Sequence, residues 1–239
     1  MESQLIPVDD GTRLHVARTG SGPDVVVLSG GPGCVQYLED DALAPDGFRA
    51  WFPEPRGVGR SEGGPHTMAR AVADLEAVRR AVGVPSWTVV GHSWGGDLAV
   101  YYALRQPESV DGVVAVGGTG IQKDRTWSEQ YHVRRDEEPK IEIGWTPEVH
   151  AALTSSYLEW IHEPRALRLV ADSAVPMRFV ALERDIRPSW PLQQLAALAP
   201  RGTFTTVPGV PHDVWSTHPR TWVEVVTEAC HQVRRALAR

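Results

Sequence analysis

Nearly continuous apolar, β-branched runs carry the middle of the chain: Asp24–Ser29 (DVVVLS), Trp87–His92 (WTVVGH) and Val110–Gly118 (VDGVVAVGG). Runs of this length without polar alternation predict strands buried on both faces, as in a parallel sheet. Between the second and third runs, Leu98, Ala99, Tyr102 and Ala103 recur at helical spacing. Upstream, Ala71, Val72, Leu75, Val78 and Val82 make one stripe of another predicted helix, which Gly83 stops. Strands alternating with helices predict an α/β architecture, a mostly parallel twisted sheet with helices on both faces. At the start of the chain two extended runs flank Asp10-Gly11, so an antiparallel hairpin is expected at the sheet edge.

The rhythm breaks from Thr119 to Ser173. This stretch is charged, rich in tryptophan, and interrupted by Pro139, Pro147 and Pro164. Helical pieces are expected over Pro147–His162 and Arg165–Ala171. The α/β pattern then resumes with MRFVALERD, a helix around Leu192–Leu198, TFTTVPG, and a terminal helix from Pro219. The middle segment reads as a cap or lid set on the sheet; a plain linker is the alternative, but its aromatic content argues for packing.

Directly after the strand WTVV, the residues Gly91-His92-Ser93-Trp94-Gly95 fit G-x-S-x-G and lead into a helix. In such a nucleophile elbow the strand-to-helix turn is so tight that the serine is strained and small residues must stand two positions either side. The hydroxyl is then exposed at the carboxyl edge of the sheet, beside a helix N-terminus that favours negative charge. An ordinary glycine-rich turn is the bland alternative. A serine needs a base to take its proton and an acid to orient that base.

The elbow resembles that of α/β-hydrolases, in which the chain order is Ser, then Asp or Glu, then His; that order leaves few histidines. His132, His150 and His162 fall in the expected insertion, and His231 in the terminal helix. His212 stands in a Pro/Gly-rich loop just past TFTTV, where it can reach back over the sheet edge. His218 precedes Pro219 and suits a helix start. His212 is therefore the expected base. Asp185, in the loop after MRFVAL, is the expected acid; the alternative is a solvated aspartate paired with Arg184 or Arg187. Glu183, Asp172 and Asp213 are the rival carboxylates.

Four segments, Ser29–Gly33 (SGGPG), Pro55–Ser61 (PRGVGRS), Gly91–Gly96 (GHSWGG) and the pair ERDIRPSWP with PGVPHDVW, resemble the α/β-hydrolase superfamily, and more narrowly its proline iminopeptidase-like branch. The family patterns are His-Gly-Gly-Pro-Gly and Asp-Gln-Arg-Gly-x-Gly-x-Ser; here Ser29 replaces that histidine and Glu54-Pro55 stand for Asp-Gln. The resemblance implies the α/β-hydrolase fold, with a core of residues 1–118 and 174–239 and a short helical cap, 119–173, inserted after the sixth strand. It also implies an oxyanion hole built from the Gly31 and Trp94 N–H groups. A phosphate loop would need a Lys after the glycines, and none follows Gly33.

The chemistry implied is two-step acyl transfer on an ester or amide, without metal or organic cofactor. Members of the branch bind a free N-terminal amine with acidic cap residues, which nominates Glu137 and Glu138 among the many glutamates of the segment. Trp127, Trp145, Trp160 and Tyr157 could instead line an apolar acyl pocket, or simply pack the cap. The expected partner is a small-molecule or short-peptide substrate. An aminopeptidase and an esterase, thioesterase or lactonase all fit, and a non-hydrolytic small-molecule receptor of the same fold is a further alternative.

Composition narrows this little. The 239 residues suffice for one core with an insertion, and 42% hydrophobic with 23% charged residues is ordinary for a globular protein. A formal charge of −6 disfavours nucleic acid and anionic membranes as partners. The start MESQLIPVDDG has neither a basic opening nor an apolar run. Cys34 and Cys230 show no metal-type spacing. A cytoplasmic setting is the expectation.

Overall fold

The structure is a computed structural model that describes residues 1–122 and 125–238; residues 123–124 of the expected cap lie outside the described residues. Eight strands form one sheet: β1 (Glu2–Pro7), β2 (Arg13–Gly20), β3 (Asp24–Leu28), β4 (Arg49–Pro53), β5 (Trp87–His92), β6 (Val110–Val116), β7 (Met177–Leu182) and β8 (Gly202–Val207). Their spatial order is β1-β2-β4-β3-β5-β6-β7-β8. The expected hairpin is β1–β2; β2 also pairs antiparallel with β4, and every other pairing is parallel.

Both faces of the sheet are buried, which is why its strands lack polar alternation. Along β3, Val26 and Leu28 join one hydrophobic cluster while Val25 and Val27 join the other. The first cluster is covered by α1 (Met68–Ala81), α2 (Trp94–Arg105) and α6 (Trp190–Leu198). The second is covered by α8 (Pro219–Leu237), whose Trp222, Val226, Ala229, Cys230 and Val233 follow a helical stripe. Thr67 caps α1 by accepting the Arg70 N–H, 3.0 Å.

Between β6 and β7 lie α3 (Arg125–Arg134), α4 (Pro147–Ile161) and α5 (Ala166–Ala171); a short α7 (Val214–Thr217) precedes α8. Val149, Leu153, Tyr157 and Trp160 of α4 belong to the same cluster as α1 and α2. The inserted segment thus shares the core. Two elements escape the sequence pattern. In β4 an Arg and a Pro leave only Ala50, Trp51 and Phe52 apolar, and in α3 only Trp127 is buried.

Candidate active site

Ser93 links β5 to α2 with φ 55° and ψ −129°. It is the one non-glycine residue with positive φ among the described residues, a conformation that costs roughly 1–3 kcal/mol and is held only where the surroundings enforce it. Its N–H donates to the Val116 carbonyl, 2.8 Å. The flanking glycines are required sterically: a Cβ on Gly91 would stand 2.1 Å from the Gly95 carbonyl oxygen, and one on Gly95 would stand 2.5 Å from the oxygens of Leu28 and Ser29. Ser93 is partly exposed while His92 and Trp94 beside it are buried.

The glycine loop after β3 packs onto this turn. A Cβ on Gly30 would fall 2.5 Å from Ser93 Cβ. Gly31 has φ 58°, and its carbonyl accepts the Cys34 N–H at 2.8 Å. Neither the Gly31 N–H nor the Trp94 N–H has an intramolecular acceptor among the described residues. The start of α4 braces the loop: the Thr146 N–H donates to Gly33 (2.8 Å) and His150 Nδ1 to the Pro32 carbonyl (2.8 Å). Ser29, in the family's histidine position, is buried with its Oγ unpartnered.

Asp185 follows β7, and His212 sits in the loop between β8 and α7. His212 Nδ1 is 2.6 Å from Asp185 Oδ2, with both side chains buried. Asp185 Oδ1 accepts the Arg187 N–H (2.8 Å) and Arg187 Nη1 (3.2 Å). Burial raises the Asp185 pKa, but the neighbouring His212 and Arg187 outweigh it and hold the group at about 2. Asp185 therefore meets the histidine and an arginine at once, one on each oxygen. The His212 ring lies 4.7 Å from that of His92, the residue preceding Ser93, and a Cβ on Gly117 would be 3.3 Å from His212 Nδ1.

The rival groups are occupied elsewhere. Glu183 accepts the Gly209 N–H, Asp172 pairs with Arg168 on the surface, and His218 begins α8. The Asp213 side chain is partly buried, which raises its pKa.

The expected substrate residues scatter. Trp160 is buried among Tyr101 and Tyr157, ring centroids 5.0 and 5.9 Å away, so it packs α4 onto α2. Trp145 is 55% exposed and bridges Cys34 at the end of the glycine loop. Trp127 is buried and stacks on Tyr131, over which the Arg187 guanidinium lies at 5.2 Å. Glu137 is exposed and pairs with Arg134. Glu138 lies beside the Asp185–His212 pair and forms a short ion pair with Arg187.

Glu138, Asp185 and His212 bring ligating atoms within 4.8 Å of one another. The Arg187 guanidinium contacts both carboxylates and offsets one of their two negative charges. PRGVGRS is a structural knot: Glu54 accepts the Arg60 N–H at 2.5 Å, and Arg56 pairs with Asp74 and Asp10. A mostly apolar cavity of about 60 Å³ between α1 and α2 reaches Ser29 and Trp94, and a groove of about 410 Å³ borders His212 and Glu138.

Three residues at this site carry no assignment from sequence reasoning: Tyr37, His92 and Arg187. His92 is a free position of G-x-S-x-G, and Arg187 enters only as a rival partner for Asp185. Nothing local in the sequence marks Tyr37.

Residues 23–199 match the sequence profile of the alpha/beta hydrolase fold family. A proline iminopeptidase from Xylella fastidiosa is 31% identical over 194 residues, 72% of this chain. The chain spans 59% of the length of that protein. Among solved structures, a proline iminopeptidase from Mycobacterium smegmatis superposes with TM-score 0.73 at 20% identity, covering 99% of both chains. An esterase from Exiguobacterium antarcticum gives 0.74 at 16% identity, covering 96% of this chain and all of its own.

Proposed function

The chain belongs to the α/β-hydrolase fold family, and we propose that it is a serine hydrolase cleaving an ester or amide bond of a small substrate. One observation carries this reading: the strained Ser93 at the start of α2 is accompanied by a buried Asp185–His212 pair on adjoining loops. His212 donates its Nδ1 hydrogen to Asp185, which leaves the Nε2 lone pair for base work. As Ser93 Oγ attacks the carbonyl, Nε2 takes its proton, and the oxyanion is held by the Gly31 and Trp94 N–H groups. The imidazolium then gives that proton to the leaving group. Water attacks the acyl-enzyme with His212 again as base, releasing the acid and restoring Ser93.

Among substrates, an ester is favoured over an N-terminal amine. Both nominated carboxylates already have a cation, Arg134 on Glu137 and Arg187 on Glu138. A panel of short p-nitrophenyl esters beside proline β-naphthylamide tests this. Ester turnover without anilide turnover is expected; anilide cleavage alone would return the reading to an aminopeptidase, and cleavage of neither would favour a receptor.

A further inference from the structure

Two side chains that this acyl transfer does not use, Tyr37 and His92, link two backbone groups into one hydrogen-bonded chain that is partly buried at Tyr37 and buried at His92. Tyr37 Oη lies 2.6 Å from the Gly30 nitrogen and 2.6 Å from His92 Nδ1, and His92 Nε2 lies 2.9 Å from the His212 carbonyl oxygen. The two ends fix the direction, because a backbone N–H can only donate and a carbonyl can only accept. The Tyr37 hydroxyl therefore accepts from Gly30 and gives its own hydrogen to Nδ1, and His92 carries its hydrogen on Nε2. Protonating His92 would set an N–H against the tyrosine O–H. Burial holds the His92 pKa well below its ordinary value and pushes the Tyr37 phenol up, so both stay neutral.

Rings clamp the chain in place. Tyr37 stacks on Trp215 at 4.6 Å, and the His92 ring meets Tyr37 and Trp222 edge-on at 5.9 and 5.8 Å. Gly30 adjoins Gly31, His92 adjoins Ser93, and the accepting carbonyl is that of His212. One hydrogen-bond chain therefore spans the glycine loop, the serine turn and the histidine loop.

We infer that Tyr37 and His92 are positioning residues for hydrolysis: their chain sets the oxyanion loop and the base in register on either side of Ser93. This rests on the hydrolase reading above. Displacing a reacting group by about 1 Å can cost on the order of a hundredfold in rate. The loss should fall on kcat, because the substrate contacts themselves are not removed.

The test compares wild type, Tyr37→Phe, His92→Asn and the double variant on p-nitrophenyl butyrate, with rates taken per active site titrated by a fluorophosphonate. Tyr37→Phe keeps the ring stacked on Trp215. His92→Asn keeps an acceptor near the Nδ1 position and loses the distal donor. Each single variant should lower kcat about tenfold or more with KM within about twofold. The double variant should be no more than about twofold below the poorer single one, as for groups acting as a unit. Unchanged kcat in Tyr37→Phe, or additive losses, would overturn the inference. A long-range ¹H–¹⁵N spectrum gives a readout free of turnover: wild type should show His92 protonated on Nε2, and protonation on Nδ1 overturns the chain. If wild type cleaves neither the ester nor proline β-naphthylamide the hydrolase reading falls, and the tautomer alone then decides whether the chain exists; if it cleaves the anilide alone, the same variants are compared on the anilide.

Discussion

His212 Nδ1 and Asp185 Oδ2 meet at 2.6 Å across loops that follow two adjacent parallel strands, and both side chains are buried. The other Asp185 oxygen takes Arg187, so the carboxylate is fixed from both sides. Asp185→Asn keeps the shape but can no longer hold the histidine in its base-competent tautomer. We predict that kcat on a p-nitrophenyl ester falls by about a thousandfold or more, with an unchanged circular dichroism spectrum. Near-normal turnover would assign the orienting role to another carboxylate.

Arg187 is the cation between two carboxylates, and it also caps the Tyr131 ring from α3. Removing the shared cation of this partly buried cluster leaves two carboxylates facing each other, at a cost of about 1–3 kcal/mol. Arg187→Gln should therefore lower the urea midpoint clearly. Adding Glu138→Gln should recover part of that loss, because one stranded charge is gone. Thermal and urea melts of the single and double variants check both statements.

Space at the glycine loop is already taken. Gly30→Ala would put a methyl 2.5 Å from Ser93 Cβ and 2.6 Å from Tyr37 Oη, contacts that no rotamer relieves. The loop must shift, and kcat should drop by about a hundredfold. Gly47→Ala is the control: its Cβ meets nothing within 4 Å, although its φ of 77° carries backbone strain. It should lose some stability and little activity.

Much of the fold is legible in the sequence. Glycine-punctuated apolar runs announced β3, β5 and β6, because strands buried on both faces need no alternation. The serine turn is legible because its steric demand forces glycines at fixed spacing, and family chain order together with loop placement after β7 and β8 nominates Asp185 and His212, which the fold brings to 2.6 Å. β4 was silent because Arg49 and Pro53 bracket its three apolar residues, and α3 because it buries one side chain. Tyr37 and His92 meet across 55 positions, and His92 and His212 across 120. Partnerships of that kind have no local signature. The cap aromatics illustrate the same limit: Trp160 serves the core and Trp145 faces outward, a difference set by tertiary packing alone.

Acid should act on stability in two windows. Burial keeps His92 neutral with its pKa well below the ordinary value, whereas an unfolded chain binds that proton near pH 6.5. Its contribution is complete above about pH 6.5 and erodes as pH falls, at up to about 1.4 kcal/mol per unit. Asp185, held at about 2 against 3.8 unfolded, keeps its contribution above pH 3.8 and loses it as pH falls through about 2. Urea midpoints at pH 7.5, 6 and 5 should decline less steeply in His92→Asn than in wild type. Equal slopes would remove His92 from the account.

The central claim is that Ser93 is an activated nucleophile. Incubation with a fluorophosphonate followed by peptide mass mapping tests it most directly. Wild type should carry one adduct on Ser93, Ser93→Ala none, and His212→Ala should label far more slowly. Absence of labelling in wild type, or equal labelling of Ser93→Ala, would contradict it.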